Sequence, residues 1–213
     1  MNNLNKYRVV KKIESMSFSG LIIILIFSFY SCKTSEQIIE QKIAQCVNET
    51  TNFSKYNKSG QGDFYTMMED VEKLLLVQKE SKEDYNKTVE DLLVNKDEIG
   101  KELFDKINKV FDKYGYIPQE NNHKIFTQCP FFVLVTEKNE MKSSLYFQSQ
   151  LLNGIQASGY EDIGLIKELI SSTSDDDFKK IIYRTPIILV IVNSLDNIYG
   201  TPHSSTKTFD FSK

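Results

Sequence analysis

The sequence predicts a helix-dominated α+β domain: amino-terminal antiparallel helices, followed by a small buried sheet with further helices. Three observations carry this expectation. Apolar residues recur at three- and four-residue steps through the first half of the chain, the spacing of amphipathic helices. Helix-start and helix-stop residues bracket those stripes. Two later runs, Cys129–Val135 and Ile187–Val192, are apolar and β-branched with no alternation, the texture of strands buried on both faces.

Taken in order, Ile39, Ile43, Cys46 and Val47 give a short helix over 36–47, and the polar stretch 48–62 with its glycines reads as a loop. Asp63 can cap a helix reaching about Lys79, with Phe64, Met67, Met68, Val71, Leu74 and Leu75 on its inner face. Ser81 opens a second helix in the manner of a capping box, Asp84 taking the place of glutamate, with Tyr85, Val89, Leu92 and Leu93 inside. A third starts near Asp97 and carries Ile99, Leu103, Phe104, Ile107, Val110, Phe111 and Tyr114. Gly115 suits its left-handed cap, and Pro118 prevents continuation. These three helices with short joints predict a small bundle.

The texture changes after Glu120. The first strand-like run follows, then helices over 140–156 and 160–170. Ser174 and three aspartates open another helix, which Thr185-Pro186 is expected to stop before the second strand-like run. Lys207-Thr208-Phe209-Asp210-Phe211 alternates and predicts a terminal edge strand.

Ahead of the domain lies a different kind of segment. Lys6, Arg8, Lys11 and Lys12, opposed only by Glu14, precede an apolar run from Phe18 to Tyr30 broken by Ser19, Gly20 and Ser28. As a helix that run spans about 20 Å, short of the roughly 30 Å hydrocarbon core. A positive leader, a short apolar core and a small residue at its end read as a secretory signal rather than a membrane span.

Ser31-Cys32 resembles the lipobox of bacterial lipoproteins, although Phe29 and Tyr30 stand where leucine and a small residue are usual. The resemblance covers only the first 32 residues. It implies removal of residues 1–31, a lipid on the Cys32 thiol, and acylation of the new amino terminus with palmitate-type chains. Residues 32–35 would then be a lipid-anchored amino terminus and 36–213 a single domain. One acyl chain holds a protein to a membrane only marginally, so several chains on Cys32 suit stable anchoring. The implied location is the bacterial cell envelope, outside the cytoplasm, with the membrane as a partner through that lipid.

Of 26 basic and 29 acidic residues, the leader removes four and one, leaving 22 against 28, a net charge of −6 where the precursor has −3. An acidic surface argues against a nucleic-acid partner. With Cys32 lipidated, Cys46 and Cys129 remain in an oxidising compartment, where pairing is the default. The alternative is that both are small buried apolar residues.

Catalytic signatures are sparse. The two histidines, His123 and His203, fall in loops, and the chain has neither an HExxH nor a CxxC pattern, so no metal and no cofactor is expected. Asp175-Asp176-Asp177 lacks the spacing of a calcium loop and suits a helix amino terminus instead. There is no GxSxG elbow, and Gly60-Gln61-Gly62 is not a phosphate loop. Arg184, the one arginine after the leader, is expected to pair with a carboxylate at the edge of the core.

No catalytic residue is therefore assigned. The expected function is an envelope lipoprotein with a non-catalytic binding or inhibitor domain, of which an immunity-type protein is one form, acting on another envelope protein. Two alternatives stand beside it. An envelope hydrolase acting on cell wall or glycan would use His123 or His203 beside a serine or carboxylate. A structural component of an envelope assembly would show a large exposed apolar patch.

Overall fold

The computed structural model describes residues 35–51, 53, 60, 62–75, 81–95, 98–116, 128–136, 144–158 and 162–200. It divides into two compact units, Met1–Ile38 and Ile39–Lys213. Of the first only residues 35–38 are described, the opening turn of a helix. The account below concerns the second.

Nine α-helices make up the described structure: α1 (Ser35–Thr50), α2 (Phe64–Leu75), α3 (Lys82–Val89), α4 (Glu98–Tyr114), α5 (Cys129–Thr136), α6 (Ser144–Ser158), α7 (Ile163–Ser172), α8 (Asp175–Phe178) and α9 (Ile181–Tyr199). A π-helical turn, Glu90–Val94, continues α3. Among the described residues there is no strand, so the expected buried sheet is corrected to helix. The terminal strand expected at 207–211 lies outside the described residues.

Both strand-like runs are helical. Cys129–Thr136 is α5, and Ile187–Val192 is the middle of the 19-residue α9. An apolar run without alternation satisfies a buried strand and an all-round-buried helix equally, and here packing chooses the helix. Pro186 does not stop the helix before it. The break comes earlier, at Lys180, which separates α8 from α9, and Pro186 sits inside α9. Its ring removes one backbone donor, a loss confined to a single turn. Next to it, Thr185 donates its hydroxyl to the Ile181 carbonyl at 2.8 Å.

Local caps set the other boundaries. Asp63 Oδ1 accepts from the Thr66 amide at 2.9 Å, and Asn48 Oδ1, in the last turn of α1, accepts from the Phe64 amide at 3.0 Å. Helix α1 thus continues past the expected loop start and helps cap α2. Ser81 accepts from the Asp84 amide and donates its hydroxyl to the Asp84 carboxylate, an N-cap bond backed by a side-chain one. Gly115, at φ 69°, follows α4, and the Tyr116 amide reaches back to Phe111 and the Gly115 amide to Asp112, a Schellman ending.

At the centre lies α9. It packs against α2, α4, α6, α7, α8 and the π turn. Its length and mean hydropathy of 1.3 would also suit a membrane span, but 72% of that stretch is buried inside the protein, as in a core helix. From Ile187 to Val192 no side chain is more than 2% exposed. An aromatic cluster, Phe53, Phe64, Phe111 and Tyr116, seals the junction of α2 with the end of α4.

Candidate binding groove

Three helices leave a half-open groove of about 460 Å³ between them. The last turn of α2 contributes Lys73, Leu74 and Leu75. Thr88 of α3, Asp91 and Leu92 of the π turn, and Asn95 beyond it form a second wall. Along α4, Ile99, Glu102, Leu103 and Lys106 stand at steps of three, one and three. That volume falls within the range of ligand and peptide sites, roughly 300–1,000 Å³.

Each wall follows from local sequence. In α4 the lining residues share one face because three- and four-residue steps do so on any helix. The π turn, closed by the Asn95 amide on the Glu90 carbonyl at 3.3 Å, adds a residue to one turn and so re-aims those after it. Leu92 and Leu93 stay buried while Asp91, Val94 and Asn95 face outward. Where α4 passes α9, a methyl on Gly100 would lie 2.6 Å from the Tyr199 hydroxyl, so a larger residue there would displace that ring.

The floor is apolar, with Leu75 and Leu92 buried and Leu74 and Leu103 half-buried. Ile99, 67% exposed, stands at the mouth. The rim is zwitterionic. Lys106 pairs with Glu102 at 2.7 Å, and the hydrogen bond and charge of that lysine hold the glutamate below its usual pKa. Lys73 donates to Asp70 at 3.3 Å. Burial alone would raise Asp70, yet hydrogen bonds from Tyr114 and Lys73 outweigh it and the pKa falls. An apolar floor between opposite charges is suited to holding side chains of a partner, and among the described residues its lining contains no histidine, cysteine, serine or arginine.

The residues singled out in the sequence go elsewhere. Cys32, His123 and His203 lie outside the described residues. Cys46 of α1 and Cys129 of α5 are joined in a disulfide, Cα atoms 5.8 Å apart. The three aspartates of α8 have separate engagements: Asp175 with Lys82 at 2.7 Å, Asp176 with Lys179 at 2.8 Å, and Asp177 accepting from Ser144 at 2.5 Å. Ser174 caps their turn.

Arg184 is buried in the core rather than at its edge. Its Nε and Nη2 donate to the two carboxylate oxygens of Glu72 at 2.6 and 3.0 Å, and Nη1 donates to the Phe178 carbonyl at 2.9 Å. Tyr85 donates to the same carboxylate. Glu72 and Arg184 are 2% and 3% exposed, and burial first, then the Glu72 charge, pushes the Tyr85 pKa well above its ordinary value. This network joins α2, α3 and α9 and opens onto no solvent, so its work is structural. Sequence reasoning named Arg184 but not Glu72, which looks like any charged residue of an EDVEK stretch. It found five groove residues, Leu74, Leu75, Leu92, Ile99 and Leu103, as stripe members but not the groove.

No family model matches the chain, and neither a curated protein nor a solved structure matches it. The fold and groove therefore define a class only: a helical protein with a candidate site for binding.

Proposed function

We propose that the chain is a lipoprotein of the bacterial envelope, tethered through Cys32, whose helical domain binds another envelope protein through the α2–α3–α4 groove. The observation that carries the binding reading is the groove itself, an apolar floor bordered by Lys73, Asp91, Glu102 and Lys106 with Ile99 exposed at its mouth. Such a concavity accepts apolar side chains of a helix or extended segment, while the mixed rim fixes register. The leader and Ser31-Cys32 support the address.

Affinity capture from envelope extracts tests the reading, using the full chain and its Ile99→Glu variant. Because Ile99 is mostly in solvent, the change leaves the fold alone. A charge placed over the apolar floor costs about 2 kcal/mol or more at an interface centre, a loss of roughly thirtyfold in affinity. The expected result is a partner retained by the parent chain and lost by the variant. Retention by both, or turnover of a glycan or peptide by the purified chain, contradicts the proposal. A second reading, a structural component of an envelope assembly, is favoured by the exposed aromatic side chains of α5 and α6.

A further inference from the structure

Residues 207–213, Lys-Thr-Phe-Asp-Phe-Ser-Lys, lie outside the described residues, and their pattern belongs to no element described above. In an extended chain Phe209 and Phe211 fall on one side, flanked there by Lys207 and Lys213, while Thr208, Asp210 and Ser212 fall on the other. A side of that kind is made to lie on an apolar surface. Among the described residues there is no strand whose edge it could join, so a sheet does not supply that surface.

The groove lies where the chain leaves the fold. The Gly200 amide closes the last turn of α9 on the Asp196 carbonyl at 2.8 Å. The Tyr199 ring stands against Gly100, the neighbour of Ile99 at the groove mouth. The exit is therefore about one side chain away from the mouth. Nine residues from Gly200 to Phe209 reach as far as about 30 Å at ~3.3 Å each. Along α4 the groove runs from Ile99 to Lys106, only about 10 Å. Length does not limit the contact.

The chemistry matches as well. Side chains two apart in an extended chain stand about 7 Å apart, so both phenylalanines can lie over a floor of Leu74, Leu75, Leu92 and Leu103 in a groove of about 460 Å³. On the rim, Lys73 is paired with Asp70 and Lys106 with Glu102. Among the described residues no ion pair reaches Asp91, so the rim has one carboxylate left for a cation, and the segment brings a lysine on either flank. Attachment then favours this occupant over a free peptide. A short connection gives an effective concentration in the millimolar range. With an intrinsic affinity of only about 0.1 mM, such an occupant fills its site roughly nine-tenths of the time, and a competitor's apparent affinity falls about tenfold.

We propose that Phe209 and Phe211 occupy the α2–α3–α4 groove of their own chain, with a flanking lysine beside Asp91, and that a partner has to displace them. The displacement rests on the groove being the partner site, as proposed above; the occupancy does not.

Photocrosslinking of the full chain in intact cells tests the occupancy, with benzoylphenylalanine in place of Phe209. The expected product is a link within one chain, mapped by mass spectrometry to peptides containing residues 73–75, 88–95 or 99–106. Its yield falls at least tenfold with Ile99→Glu, and the probe at Asp210, on the other side of the segment, gives less than a fifth of it. No adduct, adducts only between chains or only outside those peptides, or an equal yield from position 210 or with Ile99→Glu overturns the proposal. Affinity capture with a Phe209→Ser, Phe211→Ser chain tests the displacement: the partner is expected to bind it about tenfold more tightly than the parent, and equal binding overturns that step. The two failures are distinct. A partner lost with Ile99→Glu but no adduct from position 209 sinks this inference alone, whereas the adduct without any retained partner sinks the binding reading and the displacement with it.

Discussion

Ile187–Val192 and Phe131–Val135 share one sequence texture and one secondary structure, yet opposite surroundings. In α9 the apolar run is walled in on every side, and even a charged residue of the same helix, Arg184, is buried with its partner. In α5 three of five residues keep half or more of their surface in water. The difference lies in neighbours. Six elements surround α9, whereas α5 rests chiefly on α6 and is held at its first residue by a disulfide. An all-round apolar helix is explained when it is buried all round. Packing among the described residues does not explain the exposed outer side of α5.

The largest effect separating the two regions is expected from Glu72→Gln. It leaves the buried Arg184 without its carboxylate and costs about 3–5 kcal/mol, read from the urea midpoint of the detergent-solubilised chain. The double variant Glu72→Met with Arg184→Met recovers much of that loss, since no orphan charge remains. Next comes the disulfide: replacing Cys46 and Cys129 by serine costs about 2–4 kcal/mol, by the same measurement. Alkaline titration gives a progressive loss. Burial raises the Tyr85 pKa, and burial with the Asp70 hydrogen bond pushes Tyr114 up to about 12. The folded state then holds protons that the unfolded state releases above about pH 10, so stability is complete below that value and falls as pH rises past it. Circular dichroism against pH reads the fall. The smallest effect is Phe132→Ser, within about 0.5 kcal/mol of the parent in the monomer because the ring is already in water.

What the sequence made legible was whatever is encoded within a turn or two. Asp63, Ser81 and Ser174 start helices and Gly115 ends one, through contacts three to five residues away, and all four stood out. The buried stripe of α2 followed from its spacing alone. The strand-like runs failed for a physical reason: Ile187–Val192 carries no period, so only its neighbours distinguish strand from helix, and those neighbours are α2, α4 and α6, far away in sequence. Pro186 misled because a proline removes one hydrogen bond without forbidding a helix whose other bonds are buried. The groove was illegible because it needs three separate helices and a π turn, which no local pattern around Asp91 announces. Arg184 asked for a carboxylate, but choosing Glu72 over Glu69 or Asp70 depends on which side of α2 faces inward.

Amide hydrogen exchange on the full chain, followed peptide by peptide, tests the contrast between the two runs most directly. The account predicts that 187–192 exchanges only with global unfolding, while 129–136 exchanges sooner, and that reducing the disulfide speeds 129–136 without changing 187–192. Equal protection in both runs, or an early loss of protection in 187–192, contradicts it.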